Sequence, residues 1–323
     1  MRNRVSHQLT IQEDEGNRVL VADSIGHGGL RIFKEAGLNY VLEPTIEPNR
    51  LLEIIHDYSA LIVRGRTKVT RELIKNGHRL RVIGRAGVGL DNIDLEAATE
   101  AKIKVLNTPE APTQAVAELV FGLLLALVRG ICNGDRSIKS KQWNKSGSLG
   151  TELFGKKLGV LGFGRIGRRV AELGKAFGMS VLGYDIIQVD PVVTSKLDVR
   201  MVDLRTMLRE SDIITLHIPL TAETTNLFNK NLLDIMKSGA FLVNASRGGV
   251  IDENALYAAL ISNNLGGAAL DVFGEEPTSN YKLTSLPNVV CTPHIGSQTR
   301  ETQEAAGVEI AQKTINALGS KKL

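Results

Sequence analysis

The stretch KLGVLGFGRIG, Lys157 to Gly167, decides how the chain is read. Leu158 to Leu161 is a short apolar run of strand type, Gly162, Gly164 and Gly167 follow as G-x-G-x-x-G, and the residues from Arg168 onward read as a helix. A glycine triplet alone is weak, because glycine-rich turns are common. Between a strand and a helix, however, each glycine has its own task. The first permits a tight turn, the second lets the backbone approach a pyrophosphate, and the third lets the helix pack on the strand. The helix N-terminus adds free N–H groups and the positive end of a helix dipole. Asp185 ends the following strand, SVLGYD, about 20 residues on, where an acid accepts hydrogen bonds from both ribose hydroxyls and repels a 2′-phosphate. This order predicts that the segment binds NAD rather than NADP.

Outward from this unit the pattern repeats. After it come the strand-like runs DIITLHIP, AFLVNAS, GAALDVF and VVCTPH, and a last helix over Glu301 to Ala317. Before it stand RVLVAD, YVLE, ALIVRG, LRVIGRAG and IKVLN, with helical stretches between them. Gly26, Gly28 and Gly29 read as a turn, followed by a helix from Leu30 to Ala36 that Gly37 stops. Such alternation implies parallel sheets. NTPEAPT, Asn107 to Thr113, interrupts it with two prolines and reads as a hinge. A long apolar helix is predicted from Thr113 to Cys132.

The expected fold is therefore α/β, with two doubly wound parallel-sheet domains and a cleft between them. A Rossmann NAD-binding domain covers 109–296. A discontinuous, flavodoxin-like substrate-binding domain is made of 18–108 and 297–323, and residues 1–17 form a flexible extension.

Composition narrows the class. Of 323 residues, 43% are hydrophobic and 23% charged, which suits soluble domains with ordinary cores. The net charge of +4 comes without any Lys/Arg-rich run, so it does not call for nucleic acid and is matched equally well by an anionic substrate. Leu119 to Val128 is too short for a bilayer, which needs about 20 residues, and no membrane partner is expected. Cys132 and Cys291 lack metal-ligand spacing and read as reduced thiols, so no metal site is expected and the compartment is read as cytoplasmic.

Ligands of open α/β sheets bind beyond the C-terminal strand ends. Three such ends carry chemistry here: NASRGG supplies Arg247, LDVFGEEP supplies Asp271, Glu275 and Glu276, and CTPHIGSQT supplies His294. Singly, these read as a solvated charge, a turn and a structural hydrogen bonder. Together they supply a cation for a carboxylate and a histidine able to exchange a proton near neutrality, next to a carboxylate that favours its charged form. That is what hydride transfer at a hydroxyl-bearing carbon requires besides the cofactor.

With these residues in place, the chain resembles the D-isomer-specific 2-hydroxyacid dehydrogenases, and within them the branch that oxidises 3-phosphoglycerate. The matching segments are VIGRAGVGLDNID, NTPEAPTQAVAELV, GTELFGKKLGVLGFGRIG, LVNASRGGVIDENAL, GAALDVFGEEP and TPHIGSQT, and the likeness runs from about Arg18 to the C-terminus. The resemblance implies that Arg247 binds the substrate carboxylate and carbonyl, that His294 is the general acid/base, and that Glu276 holds its charge. It implies that Asp271, Ala245, Ser246 and Gly296 lie at the nicotinamide, and that Arg165 and Ile166 touch the pyrophosphate. His217, Ile218 and Pro219 would line the adenosine side. Gly87 and Val88 would offer backbone N–H groups to the carboxylate; many relatives carry Thr at the Val88 position, so a hydroxyl is missing there.

Arg64, Gly65, Arg66 and Arg85 lie at two strand ends, and the three arginines suit a phosphate clamp. The substrate class is therefore an anionic 2-hydroxy acid such as 3-phosphoglycerate. Glyoxylate, hydroxypyruvate or D-lactate chemistry is the alternative, and an NAD-sensing corepressor is a rival of another class. The resemblance further implies a homodimer through the long helix. Because the chain ends soon after its final helix, it also implies no C-terminal regulatory domain and no inhibition by low serine.

Overall fold

The computed structural model describes residues 16–145 and 149–319, so the extension expected over 1–17 lies almost wholly outside the described residues. The chain divides into two compact units. One runs up to Thr108 and resumes at Gln303, and the other holds Pro109–Thr302.

The first unit is built on β1 (Arg18–Val21), β2 (Asn39–Leu42), β3 (Ala60–Val63), β4 (Val82–Arg85) and β5 (Lys104–Asn107), in the order β2-β1-β3-β4-β5. The second contains β6 (Lys157–Leu161), β7 (Ser180–Tyr184), β8 (Val199–Met201), β9 (Ile213–Leu216), β10 (Ala240–Asn244), β11 (Leu265–Leu270) and β12 (Val289–Cys291). Their order is β12-β11-β10-β9-β6-β7-β8. All pairings within both sheets are parallel. The two doubly wound sheets of the sequence reading are thus present.

The central strands ALIV of β3 and IITL of β9 are buried at every residue. A sheet covered on both faces selects continuous aliphatic runs rather than alternation. In the second unit the strand order reverses at β6, which lies between β7 and β9. That reversal opens a crevice beyond the C-terminal end of β6, where the Gly162 turn lies.

Helices cover both faces of the second sheet. Thr113–Val128 buries Ala117, Val120, Phe121, Leu124 and Val128 in a cluster with Leu158, Val160 and Val170. The opposite cluster joins Leu216, Leu242, Leu256 and Phe273. In the first unit Leu20, Leu61, Leu73, Ile83 and Ala97 share one core. Helix starts are set by side chains that accept otherwise orphaned N–H groups, among them Thr70, Asp94, Asp203 and Asp252. No single helix among the described residues is long and apolar enough to cross a membrane.

Two expectations need correction, and one strand has no counterpart among them. The first helix is His27–Glu35, so Gly28 and Gly29 belong to the helix and not to a turn. They are glycines because the final helix, Arg300–Leu318, lies directly on them: a Cβ at Gly29 would sit 2.4 Å from the Gly307 carbonyl oxygen. The long apolar helix stops at Val128. Gly130 takes φ +61°, and the chain bends by 63° into a separate helix, Ile131–Lys139. Finally, β8 was not foreseen. Its sequence VRM carries one buried residue, too little for a periodic signal.

Candidate active and dinucleotide sites

The glycine motif forms the turn between β6 and the helix Arg165–Ala176. Gly162 has φ +92°, and a Cβ there would lie 2.5 Å from the His217 carbonyl oxygen. A Cβ on Gly167 would lie 2.0 Å from the Gly162 carbonyl oxygen, so the helix rests directly on the turn. Around Gly164 there is open space, and no side chain caps this helix start. An uncapped N-terminus facing open space fits the pyrophosphate of a dinucleotide.

Asp185, just past β7, accepts the Phe163 N–H at 2.7 Å and the Ile187 N–H at 3.0 Å. The acid is thereby fixed against the turn, with lone pairs left for a ribose. Arg165 is exposed beside Glu110, at 3.6 Å. His217 follows β9. Its Nε2 lies 2.9 Å from the Thr215 hydroxyl, and burial pushes its pKa down to about 3, so it is a neutral wall residue. Pro219 turns its carbonyl to the Thr224 hydroxyl at 2.7 Å.

Arg247 lies beyond β10 in a turn built by Asn244. The Asn244 side chain is fully buried; it donates to the Arg247 carbonyl at 2.8 Å and accepts from the Ser246 N–H and hydroxyl. Ala245 and Ser246 are the two residues this turn presents, and the Arg247 guanidinium donates to the Ser246 carbonyl. Gly248 lets the turn press on the next loop. A Cβ there would overlap the Phe273 backbone at 1.9 Å.

That next loop follows β11 and carries Glu276. One carboxylate oxygen accepts the Phe273 N–H at 3.1 Å, and the other meets His294 Nδ1 at 2.8 Å. Burial alone would raise the Glu276 pKa. The hydrogen bonds from His294 and Phe273 and the charges of His294 and Arg247 outweigh it, and the group is held below its ordinary value. The sequence reading placed Arg247, Glu276 and His294 on three separate strand ends, and the fold gathers them.

His294 itself has φ +53°, a left-handed conformation that a non-glycine residue holds only under constraint. The constraint is Asp271. This carboxylate is 1% exposed and accepts from the Thr292 hydroxyl at 2.6 Å and from the N–H groups of Ile295 and Gly296, both at 2.8 Å. Its carbonyl takes the His294 N–H at 2.8 Å. A cavity of about 490 Å³ adjoins the pair, lined by Pro277, Thr284, Cys291 and Pro293 among others. Burial, with the charge of Glu253 adding to it, pushes the Cys291 thiol up to about 11.

In the first unit, the loop after β3 is tied down by Asp23, 3% exposed. It accepts from the Arg64 N–H at 2.6 Å, the Thr67 hydroxyl at 2.7 Å and the Thr67 N–H at 3.2 Å. Arg66 is used by the same clamp. It contacts Asp23 at 3.2 Å and donates to the carbonyls of Ala22 at 2.7 Å and Ile46 at 3.0 Å. Arg85 donates to the Arg64 carbonyl at 3.0 Å, which holds its guanidinium against the Arg64 backbone. Gly65 is exposed with open space above it. Gly87 has φ +152°, and a Cβ there would strike the Arg85 guanidinium. Val88 is exposed, and its carbonyl accepts from Asn107 at 2.7 Å.

The sequence reading missed Asp23, Asn244 and Glu253, which shape these loops. Asp23 and Asn244 had a signal: each is a polar residue at the end of an aliphatic strand run, where burial demands a partner.

Comparison with known proteins agrees with this picture. Residues 121–296 match the model of the D-isomer specific 2-hydroxyacid dehydrogenase NAD binding domain. A D-3-phosphoglycerate dehydrogenase of Methanocaldococcus jannaschii is 44% identical over 92% of this chain, which spans only 56% of that relative's length. A hydroxypyruvate reductase of Thermotoga maritima is 43% identical over 94% of this chain and 98% of its own. Among solved structures, a D-lactate dehydrogenase from Aquifex aeolicus complexed with NAD and lactic acid superposes with TM-score 0.80 at 30% identity, covering 94% of this chain and 96% of that one. With an uncapped dinucleotide turn, a carboxylate–imidazole pair and these likenesses, the chain belongs to the D-isomer specific 2-hydroxyacid dehydrogenase family and carries its NAD-binding domain.

Proposed function

We propose that the chain is an NAD-dependent dehydrogenase that oxidises 3-phosphoglycerate to 3-phosphohydroxypyruvate, a reaction that feeds serine synthesis. The observation that carries the chemistry is the 2.8 Å contact between His294 Nδ1 and Glu276, beside the charge of Arg247. A carboxylate can only accept, so Nδ1 carries the hydrogen and Nε2 of the neutral ring is left as a base. Nε2 takes the proton of the substrate 2-hydroxyl as the carbonyl forms. The imidazolium that results is held by Glu276, whose lowered pKa keeps it ionised. Arg247 pairs with the substrate carboxylate and the 2-oxygen.

NAD, when bound, supplies the acceptor for the hydrogen and electron pair that leave the substrate carbon. Gly162, Gly164, Arg165, Ile166 and Gly167 would hold its pyrophosphate, and Asp185 its ribose. His217, Ile218 and Pro219 would line the adenosine side, and Ala245, Ser246, Asp271 and Gly296 the nicotinamide side. The His294→Asn variant is expected to lose about 10²- to 10⁴-fold in kcat, followed by NADH absorbance. Wild-type turnover in that variant would sink the acid–base reading.

For the substrate, Arg64 and Arg85 supply the phosphate recognition in this proposal, while Arg66 serves the loop. Support comes from the relatives named for 3-phosphoglycerate and from the Arg85 guanidinium, which is held on the backbone of Arg64. A second reading, hydroxypyruvate reduction, is favoured by the near end-to-end match to the Thermotoga maritima relative. Specificity constants for phosphohydroxypyruvate, hydroxypyruvate, glyoxylate and pyruvate, measured side by side, separate the two. A wide margin for an unphosphorylated acid rejects the phosphate reading.

The homodimer is proposed to form on the helix Ile131–Lys139. That helix buries none of its residues and exposes Ile131 and Ile138, whereas much of Thr113–Val128 is spent inside the unit. A monomer by light scattering would exclude it.

A further inference from the structure

We propose that Glu253 is a positioning residue for the Glu276–His294 pair, an inference that rests on the acid–base reading of that pair. Glu253 begins the helix Glu253–Ile261, but it does not cap it. Asp252 already accepts the N–H groups of Asn254 and Ala255. The Glu253 carboxylate reaches out of the helix instead. One oxygen accepts the Gly274 N–H at 2.7 Å, and the other accepts the Asn280 side-chain amide, also at 2.7 Å.

Gly274 and Asn280 bracket the turn that contains Glu276. Apart from the Glu276–His294 contact, the turn is held by short-range contacts: the N–H of Phe273, the residue just before it, to Glu276 at 3.1 Å, and the Ser279 hydroxyl to Glu275 at 3.2 Å. The turn is otherwise open to solvent from Gly274 to Glu276. The helix behind Glu253 is fixed by Leu256, Ala259 and Leu260 in the core. One carboxylate therefore carries the rigidity of the core to both ends of an exposed turn. A turn held at both ends keeps Glu276 within hydrogen-bonding reach of His294 without fresh entropy loss in each catalytic cycle.

The pairing can be inverted. In Asn280→Asp two carboxylates face each other. In Glu253→Gln/Asn280→Asp the glutamine amide donates to the new aspartate, and the hydrogen bond returns with its direction reversed. Asp is as good an N-cap as Asn, so the short helix Tyr281–Thr284 keeps its start.

The test labels the six histidines with ¹⁵N. The resonance of the His294 Nδ1–H bonded to carboxylate, assigned by its loss in His294→Asn, is observed with no NAD or substrate present. Turnover is measured separately. Glu253→Ala and Asn280→Asp are expected to broaden that resonance into solvent exchange and to lower kcat on the order of ten-fold, with KM little changed. The double variant is expected to restore both. Circular dichroism and melting show whether each variant folds, and if Glu253→Ala does not, the Asn280→Asp pair decides. Wild-type resonance and kcat in the folded single variants overturn the proposal, as does failure of Glu253→Gln to rescue Asn280→Asp. Should His294→Asn retain turnover, the acid–base reading falls, while the resonance still decides what Glu253 holds.

Discussion

The carboxylates of Asp23 and Asp271 occupy matching places in the two units. Each is buried just beyond the C-terminal end of a strand, and each gathers donors from a loop. They differ in what they gather. Asp271 takes one hydroxyl and two backbone N–H groups, and the side chains of His294 and Glu276 remain 47% and 38% exposed. Asp23 takes backbone and hydroxyl donors too, but also the guanidinium of Arg66. One clamp sets functional groups free, and the other absorbs a charge that the sequence offers as a ligand. A strand-end cation is therefore read with its buried carboxylate, not alone.

The comparison breaks most easily at glycine. In the second unit Gly248→Ala would drive a methyl into the Phe273 backbone, which cannot swing aside. Loss of measurable turnover and a drop in Tm of about 5 °C or more are expected. In the first unit Gly87→Ala meets only the end of the flexible Arg85 side chain, so its cost is set by backbone strain, about 1–3 kcal/mol. Equal melting temperatures for the two variants would remove the contrast.

The clamps themselves are next. Asp23→Asn and Asp271→Asn each turn an amide toward backbone N–H groups, at about 1–3 kcal/mol per orphaned donor. Asp23 serves more donors, so its variant should melt lower. Asp271→Asn should lose more kcat, because the His294 loop hangs on it. If the two variants rank alike in both measurements, the division of labour is wrong.

The arginines give a smaller, sharper test. Arg85→Ala is expected to raise KM for a phosphorylated substrate by about ten-fold or more, from loss of charge-assisted hydrogen bonds. Arg66→Ala should cost about 1–2 kcal/mol in stability and leave KM nearly unchanged. The reverse pattern, read from kinetics and melts, would return Arg66 to the substrate.

The smallest effect is in pH. Glu276 titrates below its ordinary value of 4.5 when folded, so its ionised form contributes stability that is present above that value and is lost as pH falls through the lowered one. The Tm gap between wild type and Glu276→Gln, about 2 °C at neutral pH, should therefore close on acidification. A gap that widens instead would mean that the His294–Glu276 pair is not ionic.

Much of this was legible before any coordinates. Aliphatic runs with glycine stops give the two sheets, and Gly162, Gly164, Gly167 and Asp185 declare their turn through local spacing. Glu276 and His294 sit on separate strand ends, where ligands of such sheets bind, and it is the family resemblance that implies their pairing. What stayed hidden depends on distant partners. Gly28 and Gly29 resemble a turn until Gly307 is laid against them. Arg66 resembles a ligand until Asp23 takes it. Glu253 looks like an ordinary first-turn acid, because nothing in DENAL reveals that Gly274 and Asn280 end at its oxygens.

The final helix has a consequence for how the chain matures. The Gly28 N–H is satisfied at 2.7 Å by Glu304, a residue 276 positions later, and Lys313 reaches back to the Asn107 carbonyl. During synthesis residues 18–108 must wait, with the part of their sheet and first helix that Arg300–Leu318 covers still exposed, until the chain has been made beyond residue 313. The contiguous second unit meets no such delay. The first unit is therefore completed after the second has been made, and residues 18–108 are the segment that most depends on protection from aggregation in the meantime.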